Sequence, residues 1–282
     1  MSCIKYILLM FLFSVWLVSS AVGKIWLPDE SGIGNISVIK DNGIASENPA
    51  FILKNRFITG ISGNYFSAGV DFGNINNINF IGGTKLNNYS KIGMLFNYLS
   101  FDALGDNVKN IESLFMYNYN MRKIILGIGA DIQYESYKID NENSSIIKIG
   151  GSLGIIYKMF ENFKISGTLN DIDSKDYDVL IDKFTAGCIY NISNLSLLGE
   201  IGSFQNKVTG KAGFELKYLM NRFKVRTGIN FGGSDIFRIN GIGAGFSYKF
   251  YNFEIVYSAY YIFNLGNYGT HSIGIQFFGD GV

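Results

Sequence analysis

The sequence predicts an all-β protein, an antiparallel transmembrane β-barrel of about 14 strands preceded by a short amino-terminal segment. Three observations lead to this prediction: apolar and polar residues alternate along many short runs, the connections fall into a short set and a longer set, and aromatic residues gather beside the short connections. Counts of about twelve or sixteen strands remain open.

Composition limits the classes of function. The chain has 282 residues, with 24 Lys and Arg against 23 Asp and Glu, and so a formal net charge of +1. Nucleic-acid binders carry a basic excess, so we expect no nucleic-acid partner. One His and two Cys leave little material for His/Cys metal sites. We therefore expect no metal, no cofactor and no enzymatic activity.

The amino terminus has the features of a secretory signal. Lys5 precedes an apolar run from Tyr6 to Val18, and small residues follow up to Gly23. This pattern predicts a signal peptide over residues 1–23, cleaved after Ala21 or Gly23. An uncleaved anchor helix is the alternative, but the run is shorter than the ~20 residues that span a bilayer.

Beyond the signal, the residues alternate with a period of two. From Phe223, apolar residues at Val225, Ile229 and Phe231 alternate with polar or small ones, which is typical of a strand with one wet face. Similar runs fill the predicted barrel, residues 57–278. The wet faces place these charged residues in the predicted lumen: Lys123, Asp131, Glu135, Lys148, Glu200, Lys211, Glu215, Lys217, Lys224, Arg226 and Glu254.

The mixed signs of these side chains predict internal ion pairs, because buried charges need partners. Alternation also occurs in water-soluble β-sandwiches, so it does not by itself indicate a membrane protein. The two further observations favour the barrel.

The connections separate into two sets along the chain. One set is predicted to be longer and polar, and the other consists of tight turns that each contain Asn, a residue that tolerates left-handed backbone conformations. Short periplasmic turns and longer outer loops are typical of transmembrane barrels. The longer set is 73–77, 102–110, 136–145, 170–182, 203–207, 232–235 and 264–267, and the tight set is 87–90, 120–122, 160–162, 191–194, 220–221 and 251–252.

Aromatic residues flank the tight turns on the apolar sides of the strands. In a closed barrel they would form a girdle at one membrane interface. Ordinary aromatic enrichment would instead scatter them along each strand. The residues are Tyr119, Tyr157, Phe163, Tyr190, Tyr218, Phe223, Phe250 and Phe253.

The segment before the barrel resembles a known family. Gly32-Ile33-Gly34, and then a stretch ending in Asn48-Pro49-Ala50, is similar to the amino-terminal hatch of the outer-membrane long-chain fatty acid transporter superfamily (FadL-like). It is also similar to that of shorter relatives, the type IX secretion shuttle proteins (PorV-like) and uncharacterised bacterial outer-membrane proteins. The run from Tyr268 to Phe278 resembles their final strand.

The resemblance implies a fourteen-stranded barrel plugged by a hatch over residues 24–56, with Gly32, Gly34, Asn48, Pro49 and Ala50 as its characteristic residues. It implies passive, hatch-gated passage of a small apolar compound. The alternative is a scaffold that does not transport and binds secreted or surface proteins. The chain is much shorter than the fatty acid transporters, so their long outer loops are expected to be reduced, which argues against fatty acid import.

These features predict a multi-pass barrel in the outer membrane of a diderm bacterium, in contact with outer-membrane lipid and inserted by the barrel assembly machinery. Residues 279–282 would form a short tail beyond the terminal aromatic residues.

Three sites could carry chemistry. His271 and Ser272 are neighbours, but adjacent strand residues point to opposite faces, so they are not expected to meet. The run from Gly241 to Gly245 lacks the following helix of a phosphate loop and is interpreted as lumen-facing wall. An acidic segment is interpreted as solvated loop, with a calcium site as the alternative. Its residues are Asp171, Asp173, Asp176, Asp178 and Asp182.

Overall fold

The computed structural model describes Leu27, Glu30 and residues 36–37, 39–67, 75–103, 106–139, 142–170, 183–204, 207–233, 239–263 and 268–279. The predicted signal peptide, Gly32, Gly34, the acidic segment 171–182 and residues 280–282 lie outside the described residues.

Sixteen strands make up the described structure. The first two form a separate hairpin, and the others follow one another around a barrel. The strands are β1 (Gly43–Ala45), β2 (Asn48–Ile52), β3 (Phe57–Ser67), β4 (Ile75–Lys85), β5 (Ser90–Ala103), β6 (Asp106–Met121), β7 (Ile124–Ile139), β8 (Glu142–Lys158), β9 (Phe163–Asn170), β10 (Lys183–Ile192), β11 (Leu195–Phe204), β12 (Lys207–Tyr218), β13 (Phe223–Gly233), β14 (Ile239–Phe250), β15 (Phe253–Ile262) and β16 (Tyr268–Gly279).

The barrel is a closed antiparallel sheet of fourteen strands, which confirms the predicted fold class. Each strand from β3 to β16 pairs with its sequence neighbours, and β16 closes on β3 with Gly279 opposite Phe57 and Gly269 opposite Ser67. Closure gives every barrel strand a hydrogen-bonded neighbour on each side, and closure is the condition for a sheet to cross lipid.

The alternation in the sequence is the alternation of the two barrel faces. Along β14, Ile242, Phe246 and Tyr248 are exposed on the outer face, whereas Gly243 and Ser247 are buried on the inner one. Apolar side chains outside and small or polar ones inside follow from the two-residue period of a strand. Among the described residues, no helix has the length and apolar character needed to cross a bilayer.

Tight turns gather at one end of the barrel, called here the tight-turn end. Left-handed backbone is present there, but only one of its positions is an asparagine, Asn221. In three other turns the residue with positive φ is Arg122, Ser193 or Tyr251. In these three turns a residue other than Asn adopts the left-handed conformation, at a steric cost that Asn would reduce.

Two predicted long links, 102–110 and 136–145, are strand for most of their length. β5, β6, β7 and β8 have 14 to 17 residues each. Each of the four is longer than the roughly 9–11 residues that a strand needs to cross a bilayer. The ends where β5 meets β6 and where β7 meets β8 are rich in Asp, Asn, Ser and Lys, and this composition resembles a loop in sequence.

The β1–β2 hairpin, called here the hatch hairpin (Gly43–Ile52), lies inside the barrel against β6, β7, β8 and β9. Four residues, Leu53 to Arg56, connect it to β3. The position of the hairpin determines which side chains of the lumen wall are covered and which are accessible.

The closed ladder should resist sodium dodecyl sulfate at room temperature. We expect unboiled protein to migrate faster on a gel than boiled protein, because an intact barrel stays compact. A sample unfolded in urea before loading is the control and should match the boiled one. Identical mobility of boiled and unboiled samples would contradict a closed barrel.

Candidate functional site

The hatch hairpin is buried between two apolar clusters. In one, Ile44 and Phe51 pack with inward-facing Ile58, Ile81 and Leu95. In the other, Ala50 and Ile52 lie with Ile36, Ile39 and the inward-facing residues Ile125, Ile156, Ile189 and Leu198. The lumen wall around the hatch is therefore aliphatic.

The alternation predicted polar or small side chains on the inner face, and this aliphatic belt corrects that prediction. Ile125, Ile156 and Leu198 occupy inward positions near the tight-turn end and are buried. The sequence contains a signal for them: each belongs to an apolar doublet, as in Ile155-Ile156 and Leu197-Leu198, and a doublet puts apolar side chains on both faces of a strand.

Glycines on the wall make room for Asn48-Pro49-Ala50. A Cβ at Gly127 of β7 would lie 2.2 Å from the Ala50 nitrogen, and a Cβ at Gly154 of β8 would lie 2.1 Å from Asn48 Oδ1. No side chain fits at either position. We call Gly127 and Gly154 the glycine saddle.

Asn48 shapes the segment that lies on the saddle. Its Oδ1 accepts a hydrogen bond from the Ala50 backbone N–H at 2.8 Å, which is a local turn within the hairpin. Asn48 is fully buried. On the next strand, Asn118 Nδ2 donates to the Phe51 carbonyl at 3.1 Å. The Asn-Pro-Ala segment is thus the part of the hatch in closest contact with the wall.

Ion pairs tie the hatch to the wall at both ends of the hairpin. Asp41 accepts from Lys164 of β9 at 2.5 Å and from Lys54 at 2.6 Å. Glu47 pairs with Lys183 of β10 at 2.6 Å. Burial alone would raise the pKa of Asp41, but the hydrogen bonds and charges of Lys164 and Lys54 outweigh it and hold this pKa well below its usual range.

The structure brings most of the predicted lumen charges together in pairs. Lys211 pairs with Glu200, whose other carboxylate oxygen accepts from the Ser37 backbone N–H of the hatch segment at 2.8 Å. The further pairs are Arg226 with Glu215 at 2.7 Å, Lys224 with Glu254 at 2.8 Å, Lys217 with Glu215 at 3.6 Å and Lys148 with Glu135 at 3.2 Å.

The two remaining predicted lumen residues lie at different positions in the barrel. Asp131 points inward on β7 opposite Gly150 and is half-buried. Lys123 lies in the tight turn before β7 and is exposed to solvent. β7 begins one residue later, at Ile124, so Lys123 is not part of a strand face.

An asparagine wall lines the lumen on β3, β4 and β5. Asn77 Nδ2 donates to Asn97 Oδ1 at 2.7 Å, and Asn79 Nδ2 donates to Asn77 Oδ1 at 3.0 Å. These side chains are buried and uncharged. They are not among the lumen residues predicted from the sequence, although asparagine recurs at inward positions of these strands.

The structure describes two of the three chemical candidates, and neither brings catalytic groups together. His271 points outward, and its Nδ1 lies 2.8 Å from Tyr257 Oη, whereas Ser272 is buried on the inner face. Gly241 lies under the Tyr260 ring, whose Oη would be 2.5 Å from an added Cβ. Within the described ranges, no three His, Cys, Asp or Glu side chains gather as metal ligands. The acidic segment 171–182 is outside those ranges.

A cavity of about 720 Å³ lies between the hatch and the wall. Ser193 and Asn221 of the tight turns line it, so it lies at the tight-turn end. Its lining includes eight basic side chains and four acidic ones. The cavity therefore carries an excess of four positive charges inside a nearly neutral protein.

Comparison with known proteins identifies the fold. No protein-family model and no curated protein sequence matches the chain. Solved structures do match. The CymD monoaromatic hydrocarbon channel superimposes with a TM-score of 0.73 at 12% identity, over 90% of this chain and 97% of that one. The toluene transporter TodX of Pseudomonas putida gives 0.64 at 11% identity, over 90% and 97%.

A Pseudomonas aeruginosa FadL homologue gives a TM-score of 0.62 at 10% identity, over 88% of this chain and 97% of that one. At such identities the likeness establishes the fold alone. The chain has the fold of FadL-like outer-membrane channels, as predicted. The resemblance to the shuttle proteins stays a prediction.

Filling the glycine saddle should displace the hatch. We expect Gly154→Ala to increase amide hydrogen exchange in the hatch hairpin about tenfold or more, because overpacking costs about 1–3 kcal/mol. Gly150→Ala is the matched control, since it lies on the same inner face of β8 and its added Cβ would meet no atom closer than 3.9 Å. Equal exchange in the two variants would contradict the docking of Asn48-Pro49-Ala50 on Gly154.

Asp41 should make hatch attachment depend on pH. Because folding lowers its pKa, its contribution is fully present above the ordinary aspartate pKa of about 3.9 and is lost as the pH falls below that value. We expect Asp41→Asn to raise hatch exchange at pH 7, and the difference from the wild type to shrink below about pH 4.

The measurement is hydrogen exchange corrected for its intrinsic pH dependence. Glu135→Gln is the control, because it breaks the pair with Lys148 and leaves the hatch ion pairs intact. A difference between Asp41→Asn and the wild type that persists unchanged at pH 3 would refute the role of the Asp41 charge.

Proposed function

We propose that the chain is an outer-membrane channel in which a small apolar compound passes along the lumen when the hatch moves. The observation that carries this proposal is the aliphatic belt around the hatch hairpin. When the hairpin moves, it uncovers Ile125, Ile156, Ile189 and Leu198 inside the barrel. Such a wall suits an apolar solute, and passage along it involves no covalent step.

The way the hatch is held supports its movement. β1 and β2 pair with each other and not with the barrel. Side-chain hydrogen bonds join the hairpin to the barrel strands, as in Asn118 to Phe51 and Asn170 to Glu47. The hairpin can shift without opening the barrel ladder, whose integrity the membrane requires.

The similar structures also support the proposal that an apolar compound passes through the barrel. CymD is a monoaromatic hydrocarbon channel, and TodX is a toluene transporter. Their barrels have the fold of this chain, so we propose an apolar compound of comparable size as the solute. We also propose that the barrel is inserted into the outer membrane by the assembly machinery, with the tight turns facing the periplasm.

The alternative proposal is a scaffold that holds a secreted or surface protein. The observation that favours it is the strength of hatch attachment, with ion pairs at both ends of the hairpin and two apolar clusters. A lumen sealed in this way would leave the outer surface and loops as the functional parts.

Uptake of a hydrophobic fluorescent probe by intact cells tests the channel proposal. We expect cells producing the chain to take up N-phenylnaphthylamine several-fold faster than cells with an empty vector. Deletion of residues 32–50 should raise the rate further, because it removes most of the hatch from the lumen. The Gly154→Ala variant should fall between the wild type and the deletion.

Gly150→Ala is the control and should behave as the wild type. All samples should show the heat-dependent gel shift, so that uptake is compared between folded barrels. Uptake that stays at the vector level in the wild type and in the deletion would contradict a channel. A stoichiometric protein that copurifies in mild detergent would then favour the scaffold.

A further inference from the structure

The cavity at the tight-turn end has an electrostatic character that passage of an apolar compound does not require. Eight basic side chains line it, and the hatch and the wall both contribute to them. We propose that this cavity is a binding site for a small multivalent anion carrying phosphate or carboxylate groups. The proposal goes beyond the channel function and does not depend on it.

In the cavity, the basic side chains that form ion pairs outnumber the carboxylates that they pair with. Asp41, Glu215 and Glu254 are the acidic groups that pair within it. Five basic side chains lie within 4 Å of these three groups: Lys54, Lys164, Lys217, Lys224 and Arg226. Lys40 pairs instead with Glu30. The fourth acidic residue of the lining, Glu161, is an exposed residue of a tight turn.

Two lysines are left without a carboxylate. Within the part of the chain that the structure describes, neither Lys158 nor Lys249 has an ion-pair partner. Lys158 ends β8, and Lys249 lies near the end of β14, where its Nζ is 5.0 Å from the centre of the Phe278 ring. Both side chains are partly buried and line the cavity.

Confinement makes this charge excess effective. A cleft with an excess of charges of one sign, and with walls of low dielectric constant, focuses the field and concentrates counterions. The wall here includes Ile52, Ile189, Leu198 and Val256, so part of the cavity is apolar. An anion with two or more charged groups could contact several lysines at once, which a monovalent ion cannot do.

The volume fits such a ligand. About 720 Å³ accommodates a small organic or inorganic polyanion and some water. Lysine ammonium groups bind phosphate and carboxylate oxygens as point charges, and Arg226 adds a planar donor. These features are common to phosphate and carboxylate ligands, so the test uses one probe of each kind.

Isothermal titration calorimetry on the full chain in a neutral detergent tests the site. The probes are inorganic pyrophosphate and citrate. We expect saturable binding of at least one probe, with an affinity that falls as sodium chloride is raised. The double variant Lys158→Gln, Lys249→Gln should bind at least tenfold more weakly. Tighter binding of pyrophosphate would identify a phosphate ligand, and tighter binding of citrate a carboxylate ligand.

The matched control is Lys123→Gln, Lys148→Gln, which removes the same charge at two positions outside the cavity. It should bind within about twofold of the wild type. Absence of saturable binding for both probes, or equal weakening in the two double variants, would overturn the site. Each single variant of Lys158 and Lys249 is titrated as well, so that a folding defect in the double variant leaves the test intact.

This outcome is independent of the uptake experiment. Anion binding measured in detergent does not require flux, and the apolar probe does not require the basic cavity. A protein that binds pyrophosphate but fails to take up the hydrophobic probe would refute the channel and leave the anion site standing.

Discussion

The structure depends on one constraint, that every backbone polar group inside a lipid bilayer needs a partner. Closing β16 on β3 meets this constraint and fixes a barrel of fourteen strands. A closed barrel of this size also creates an interior that its own side chains do not fill. The hatch hairpin, the aliphatic belt and the glycine saddle all follow from how that interior is occupied.

Alternation, turn spacing and strand number could be read from the sequence because they follow from the two-residue period of a strand. The Asn48-Pro49-Ala50 motif was likewise recognised before its contacts were known. Its docking on Gly127 and Gly154 could not be predicted, because it joins segments about eighty to one hundred residues apart that only closure brings together. The ends of β5 to β8 were predicted as loops, because their sequence is rich in polar residues.

For the charged residues, too, the sequence predicted one part of the arrangement and the fold determined the rest. The sequence placed Glu200, Lys211, Glu215 and Arg226 on one face, and the mixed signs predicted pairing. It gave no indication that basic side chains collect at one end, since the net charge of the whole chain is only +1. Charge separation within a neutral protein is a property of the fold, because strands that run in opposite directions bring the start of one and the end of the next to the same rim.

The four-residue connection from Leu53 to Arg56 has a consequence for how an open channel would close again. A hatch that moves away from the glycine saddle stays covalently connected to β3, so its return is an intramolecular event. This connection keeps the effective concentration of the hatch near the saddle high, on the order of millimolar for a short flexible linker. Resealing would then occur at a rate that does not depend on how many copies the membrane holds, and each barrel would recover its own barrier independently.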